Sequence, residues 1–171
     1  MQTLKNEMLT IQVSEHGAEL QSIRKDDYEY LWQGNPEYWG RRSPVLFPIV
    51  GSVWEKCFRV DGKVYEMGQH GFARDMDFEL VSAADTEVWY RLKSSEKTLA
   101  AYPWPFVLEI GYRLEGNSVK VLWKVTNPGE SEMCFQIGAH PAFNYPDYDP
   151  DTPDRGVVEF DRNENLQRSG F

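Results

Sequence analysis

The sequence predicts an antiparallel all-β domain, a large sandwich, from features that recur along its 171 residues. Apolar and polar residues alternate with a period of two in most segments, as in a strand that buries one face. Turn-forming residues separate these segments at short intervals. No segment sustains the 3.6-residue period of an amphipathic helix, so we expect very little helix.

The alternating segments follow one another along the chain. In chain order, their apolar faces are Leu9, Ile11 and Val13; Val88, Tyr90 and Leu92; Leu108, Ile110, Tyr112 and Leu114; and Val119, Val121, Trp123 and Val125. RVDGKVY predicts a hairpin with Asp61-Gly62 at its turn, and EIGYRLEGNSVKVLWKV predicts a second hairpin with a three-residue turn. SEKTLAA, residues 95–101, could form a single helical turn.

The C-terminal stretch VVEFDRNENLQRSGF begins with a strand-like run and then stops. A sheet built in this way has open edges unless further strands pair with them. We therefore expect one domain over residues 1–171 that is incomplete at its C-terminus. Copies of the chain could associate through the exposed sheet edges.

Charge and composition exclude several classes of partner. The chain carries 27 acidic and 18 basic residues, a formal net charge of −9, and no basic run. This balance argues against nucleic acid and anionic membranes as partners. No apolar run approaches the length of a membrane span, and MQTLKNEMLTIQV lacks the apolar core of a signal peptide, so we expect a cytoplasmic protein.

Cysteines and histidines are few. Cys57 and Cys134 stand in hydrophobic settings, which favours small core residues over a disulfide framework. The three histidines and two cysteines show no metal-ligand spacing, so we expect no metal site. His16 lies among acidic residues between two predicted strands and is interpreted as a surface turn residue.

Two short stretches contain the other histidines. In QHGFARDMDF, Gly68 and Gly71 let the backbone bend around His70, and Arg74 is a donor suited to hydroxyls or a carboxylate. The alternative is a turn histidine that bonds a neighbouring strand. In IGAHPAFN, the small residues before His140 leave room for a ligand, whereas the alternative is a core histidine with satisfied hydrogen bonds.

A third stretch, YWGRRSPVLFPIVG, brings two arginines next to a very apolar run. On a strand, Arg41 and Arg42 point to opposite faces, so only one of them can share a site with the histidines. The alternative is that both are surface arginines that precede a buried strand.

WGRRSPVLFPIVG, QHGFARDMDF and IGAHPAFN, in this order in an all-β chain, resemble the galactose mutarotase-like family, and most closely its aldose 1-epimerases of the LacX-like branch. The resemblance implies a β-supersandwich and the interconversion of the α and β anomers of a free hexose, such as galactose or glucose, without a cofactor. It implies that His140 is the general acid at the ring oxygen and that His70 orients and polarises the sugar. Arg41 then resembles the arginine that holds substrate hydroxyls, and Arg74 binds substrate or braces the pocket.

The resemblance also implies a glutamate base and a sugar-binding aspartate late in the chain, and neither is evident after Asn144. Two alternatives therefore stay open. A hexose-6-phosphate 1-epimerase shares the HGFAR-type motif and adds arginines for the phosphate. A non-catalytic carbohydrate-binding module would keep the histidines, arginine and aromatic residues but lack the base.

Overall fold

A computed structural model describes residues 1–145, 148–153 and 159. The strands in this part of the chain are β1 (Gln2–Lys5), β2 (Thr10–Val13), β3 (Leu20–Lys25), β4 (Tyr28–Glu29), β5 (Val45–Leu46), β6 (Cys57–Val60), β7 (Lys63–Glu66), β8 (Glu79–Ala83), β9 (Glu87–Lys93), β10 (Val107–Glu115), β11 (Ser118–Thr126) and β12 (Gly138–Ala139). The helical elements are α1 (Glu96–Ala101) and two 3-10 turns, Trp54–Lys56 and Ala73–Asp75.

The predicted all-β class is confirmed. Within the described residues, one four-stranded sheet has the order β1-β2-β3-β4 and another has the order β11-β10-β9-β8. Every strand pair in them is antiparallel. The pairs β5–β12 and β6–β7 form two small ribbons beside these sheets.

The two larger sheets share one apolar core. The predicted faces of β2, β9 and β10 are all buried, since their alternating residues point into that core. Hydroxyl groups tie the sheets together: Tyr90 donates to the Val13 carbonyl at 3.2 Å, and Tyr112 donates to the Ala18 carbonyl at 2.8 Å. Burial raises the pKa of Tyr90 to about 12, so its hydroxyl remains a donor across the physiological range.

Strand β11 is the exception to the burial pattern. Its predicted apolar face is partly uncovered, with Val121 43% and Trp123 41% exposed. β11 is also the last strand of its sheet in the described part of the chain, so its outer edge has no strand partner there. An apolar groove of about 460 Å³ runs beside it, with Val119, Val121 and Phe143 in its lining.

Local predictions have mixed outcomes. The hairpin at Asp61-Gly62 is confirmed, because Val60 pairs with Lys63. The three-residue turn between β10 and β11 is wrong by one residue, since Glu115 still pairs with Ser118 and leaves a two-residue loop. The helical turn over residues 95–101 is confirmed as α1, which Ser95 caps by accepting a hydrogen bond from the Thr98 N–H.

The assignment of both cysteines to the core is wrong for Cys134, which is exposed, whereas Cys57 is half-buried; both are free thiols. No helix in the described part of the chain is long and apolar enough to cross a membrane. The described residues also contain no group of three or more His, Cys, Asp or Glu arranged to hold a metal. The strand-like run at residues 157–160 lies outside the described residues, apart from Glu159.

Candidate active site

The stretch 44–51 is the backbone support on which both histidine motifs are assembled. On one side, β5 pairs with β12, and the His140 N–H that follows β12 donates to the Pro44 carbonyl at 3.1 Å. Further along, the Gln136 N–H donates to the Pro48 carbonyl at 2.9 Å. His140 is thereby fixed at the end of a short antiparallel ribbon.

His70 is fixed on the other side of the same stretch. Its N–H donates to the Gly51 carbonyl at 2.7 Å, and its Nδ1 accepts a hydrogen bond from the Gly51 N–H at 2.9 Å. The next residue, Gly71, has a φ of +71°, and a Cβ there would lie 2.2 Å from the Phe47 carbonyl oxygen. Only glycine permits this close approach, which brings the HGFAR turn against the stretch 44–51.

The two imidazoles meet at one small cavity. Their ring centroids are 6.5 Å apart, and the Trp39 ring lies 5.0 Å from that of His140. The cavity has a volume of about 180 Å³ and is lined by Trp39, Pro44, Leu46, Gln69, His70, Arg74 and His140. None of these described lining residues is Asp or Glu. The motifs converge because both are hydrogen-bonded to the same eight-residue stretch.

His70 is held in its neutral form. Burial is the main cause that lowers its pKa below the usual value, and the nearby positive charge of Arg74, the imidazole of His140 and the charge of Arg41 lower it further. Because Nδ1 accepts from Gly51, the proton of the neutral ring lies on Nε2. His70 can therefore offer a ligand an Nε2–H donor at neutral pH.

The arginines occupy different places. Arg74 lines the cavity, and its Nη2 donates to the Gln69 carbonyl at 2.9 Å. Arg41 lines a polar groove that shares Trp39 with the cavity, and its Nη2 donates to Asp75 Oδ1 at 2.8 Å. The site thus brings His70, His140 and Arg74 into contact with one cavity, while Arg41 stands next to it.

Arg42 has a different set of contacts. Its Nη1 donates to the Gln21 side-chain oxygen at 2.9 Å and to the Gln21 carbonyl at 3.3 Å. Its backbone N–H donates to Glu19 Oε1 at 3.0 Å. These bonds hold Arg42 against β3.

Several neighbours of the histidine motifs serve the fold. Phe72 packs against the core, with its ring centroid 6.0 Å from that of Phe106. The Asn144 amide donates to the carbonyls of Glu29 and Leu31 at 2.8 and 3.2 Å. His16 is confirmed as a surface residue, and its Nδ1 lies 2.7 Å from Asp77 Oδ1.

Sequence reasoning did not single out Trp39, Gln69 or Asp75. Trp39 and Gln69 line the cavity, and Asp75 contacts the arginines beside it. All three belong to the motifs already noted, since Trp39 precedes Gly40-Arg41, Gln69 precedes His70, and Asp75 follows Arg74. An aromatic residue next to Gly-Arg was a usable signal for a sugar site, because aromatic faces pack against apolar faces of ligands.

A model of the aldose 1-epimerase family matches residues 1–166 of the chain. The chromosomally encoded LacX protein of Lactococcus lactis subsp. lactis is 41% identical over 151 residues, which cover 84% of this chain and 50% of that protein. Among solved structures, a galactose mutarotase related enzyme from Lactobacillus acidophilus superposes with a TM-score of 0.84 at 41% identity, over 85% of this chain and 49% of that one.

A galactose mutarotase-like protein from Lactobacillus casei gives a TM-score of 0.82 at 38% identity, over 84% of this chain and 50% of that one. These structures share the sandwich architecture predicted from the sequence. The chain spans about half the length of the relatives that it matches.

Proposed function

Because this chain belongs to the aldose 1-epimerase family, we propose that its histidine cavity binds a hexose and takes part in interconverting the α and β anomers. One observation carries the proposal: the rings of His70 and His140 lie 6.5 Å apart about a single cavity. Two imidazoles at this separation can both reach the polar atoms of one small ligand between them.

The proposed roles follow from the chemistry of ring opening. Opening a pyranose needs a proton delivered to the ring oxygen and another removed from the C1 hydroxyl. His140 supplies the first proton, and neutral His70 donates an Nε2–H hydrogen bond that polarises the sugar. Arg74 binds hydroxyl oxygens, and Trp39 packs against the apolar face of the ring. After rotation about the C1–C2 bond, the same groups act in reverse.

The reaction also needs a base. The C1 hydroxyl proton needs an acceptor, and no described residue that lines the cavity carries a carboxylate. We therefore propose that these residues supply sugar binding and the acid, and that the base comes from outside them.

Polarimetry and binding test the proposal together. Optical rotation of freshly dissolved α-galactose and α-glucose would be followed with and without the purified chain, and binding would be measured by NMR titration. We expect saturable galactose binding that the His70→Ala/His140→Ala double variant loses. His16→Asn is the matched control, since His16 pairs with Asp77 at the surface, and it should bind like the parent. A parent chain that binds neither sugar contradicts the proposal.

The lack of a carboxylate among the described lining residues also favours a second function, a non-catalytic carbohydrate-binding module. The two functions differ in one measurement. Saturable binding without any acceleration of mutarotation indicates the module, whereas acceleration proportional to protein concentration indicates the epimerase.

The arginines bear on whether the sugar is phosphorylated. Arg41 and Arg74 could attract a phosphate, but Asp75 already pairs with Arg41, which leaves less positive charge for an anion. We therefore propose a neutral hexose. Stronger binding of glucose 6-phosphate than of glucose, weakened at high salt, would instead indicate the phosphorylated substrate.

A cytoplasmic location stays a prediction from the sequence.

A further inference from the structure

We infer that Asp75 is a positioning residue that holds Arg41 and Arg74 together beside the histidine cavity, an inference that rests on the function proposed above. Each oxygen of its carboxylate faces a different guanidinium. Oδ1 accepts a hydrogen bond from Arg41 Nη2 at 2.8 Å, and Oδ2 lies 3.6 Å from Arg74 Nε. Asp75 lines the adjacent groove with Arg41 and does not line the cavity itself, so we assign it a role through the arginines.

Arg74 needs this support because of how it is buried. Its side chain is only 16% exposed, and its Nε is buried without a hydrogen-bond partner among the described residues. The Gln69 carbonyl accepts from Nη2 at the far end of the same guanidinium. The Asp75 carboxylate is the group that compensates the charge at the Nε side.

Arg41 depends on Asp75 in a different way. Its side chain is 34% exposed, and holding a long arginine side chain in one geometry costs rotamer entropy. The hydrogen bond to Asp75 offsets that cost. Without a carboxylate between them, Arg41 and Arg74 would also repel each other. Asp75 thus keeps two cations close to one small site.

The backbone of Asp75 is fixed by a 3-10 turn that begins three residues after His70. Asp75 closes the 3-10 turn Ala73–Asp75, and its N–H donates to the Phe72 carbonyl at 3.0 Å. The Ala73 N–H donates to the Phe47 carbonyl at 3.2 Å, which anchors the turn on the stretch 44–51. The carboxylate is therefore built into the same rigid support as the imidazoles.

Two substitutions test the inference. Asp75→Asn keeps the shape but removes the charge, and Asp75→Glu keeps the charge. Asp77→Asn is the matched control, because Asp77 is an exposed carboxylate that pairs with His16. We expect Asp75→Asn to weaken galactose binding about 3- to 10-fold, the scale of the net contribution of one hydrogen bond. Asp75→Glu should recover most of the affinity, and Asp77→Asn should bind like the parent.

A second readout does not depend on the sugar. The charged and titratable groups around His70 are Arg74, His140 and Arg41, and Asp75 offsets the arginines. In Asp75→Asn, NMR should show a His70 pKa below that of the parent and shifted Nε–H signals of Arg41 and Arg74. A general loss of fold would instead disturb core signals, which should stay in place.

The outcomes separate the two proposals. A folded Asp75→Asn variant with the parental galactose affinity, His70 pKa and arginine signals overturns the positioning role. A parent chain without galactose binding overturns the proposed function. In that case the arginine signals and the His70 pKa of Asp75→Asn decide the positioning role, which fails if they match the parent.

Discussion

The Nδ1 atom of His70 accepts a hydrogen bond from the Gly51 N–H at 2.9 Å, while the His70 N–H donates to the Gly51 carbonyl at 2.7 Å. This reciprocal pair fixes both the backbone and the ring of the histidine. A protonated imidazole carries a hydrogen on both nitrogens, so Nδ1 could no longer accept from Gly51. The pair therefore links the protonation state of His70 to the geometry of the site.

We predict that His70 titrates below the ordinary histidine value of about 6.5. Burial is the main cause of the lowered pKa, followed by Arg74, His140 and Arg41. Since the folded pKa is depressed, the unfolded chain binds a proton first as the pH falls. The associated stability is fully present above the unfolded pKa and is lost as the pH falls through the folded pKa. NMR titration of the imidazole signals measures the shift.

A His70→Asn variant tests the link to stability. Asn tolerates a positive φ, which is +64° at His70, and its side-chain oxygen can accept from Gly51 without titrating. Urea unfolding between about pH 7.5 and pH 5 should show a smaller loss of stability in the variant than in the parent. A parental His70 pKa at or above the ordinary value would contradict this prediction.

The Gly71 turn yields a prediction with an internal control. Gly71→Ala combines a φ of +71° with a Cβ placed 2.2 Å from the Phe47 carbonyl oxygen. Gly62→Ala has a similar φ of +78°, but nothing lies within 4 Å of its Cβ. We expect Gly62→Ala to cost about 1–2 kcal/mol of unfolding free energy and Gly71→Ala about 3 kcal/mol or more. Equal losses in chemical denaturation would mean that the close approach is unimportant.

The sequence carried most of the information about strands, because alternation reports burial directly. The face of Leu108, Ile110, Tyr112 and Leu114 was predictable, and it is buried. The face of Val121 and Trp123 follows the same pattern but is half-exposed, because alternation shows which side of a strand is apolar and not what covers it. That depends on tertiary neighbours.

The sequence predicted the two histidines as site residues, but it did not predict the stretch 44–51 that holds them in place. Glycine and proline beside His70 and His140 marked the turns, and the two imidazoles do converge. The contacts that bring them together run through the backbone of residues 44–51, and backbone hydrogen bonds leave no residue-type signature. Asp75 was not predicted as a site residue either, because a carboxylate next to an arginine in sequence is common at protein surfaces.

His140→Asn should separate binding from acceleration. The variant retains hydrogen-bonding capacity but cannot deliver a proton. Galactose affinity should therefore stay within about twofold, whereas the protein-dependent acceleration of mutarotation should fall by about 10²–10⁴-fold. NMR titration and polarimetry on the same samples measure the two quantities. A variant that accelerates mutarotation like the parent would show that His140 is not the acid.

Arg41→Ala should mainly lower galactose affinity, whereas Arg42→Ala should mainly lower stability. Arg41 pairs with Asp75 beside the site, so its removal should weaken galactose binding several-fold and leave stability within about 0.5 kcal/mol. Arg42 donates twice to Gln21, so its loss should lower the unfolding free energy by about 1 kcal/mol with little change in affinity. Isothermal titration and urea unfolding distinguish these patterns, and the reverse result would assign the site to Arg42.

The uncovered face of β11 predicts self-association of the purified chain. Val121 and Trp123 are 43% and 41% exposed on a strand that ends its sheet in the described part of the chain, next to the apolar groove of about 460 Å³. Exposed apolar area and unpaired strand edges both favour contact between copies. Sedimentation velocity across a range of concentrations should show species larger than the 19.9 kDa monomer.

Charge placed on this face should reverse the effect. Val121→Lys/Trp123→Lys adds two like charges to the uncovered side of β11, which should shift the chain toward the monomer because each lysine must stay hydrated. Val81→Lys is the matched control, since Val81 is 40% exposed on β8, the strand at the opposite edge of the same sheet. If Val81→Lys converts the larger species to monomer and Val121→Lys/Trp123→Lys does not, copies associate through β8. A parent chain that stays monomeric at every concentration would show that the exposed face of β11 does not drive association.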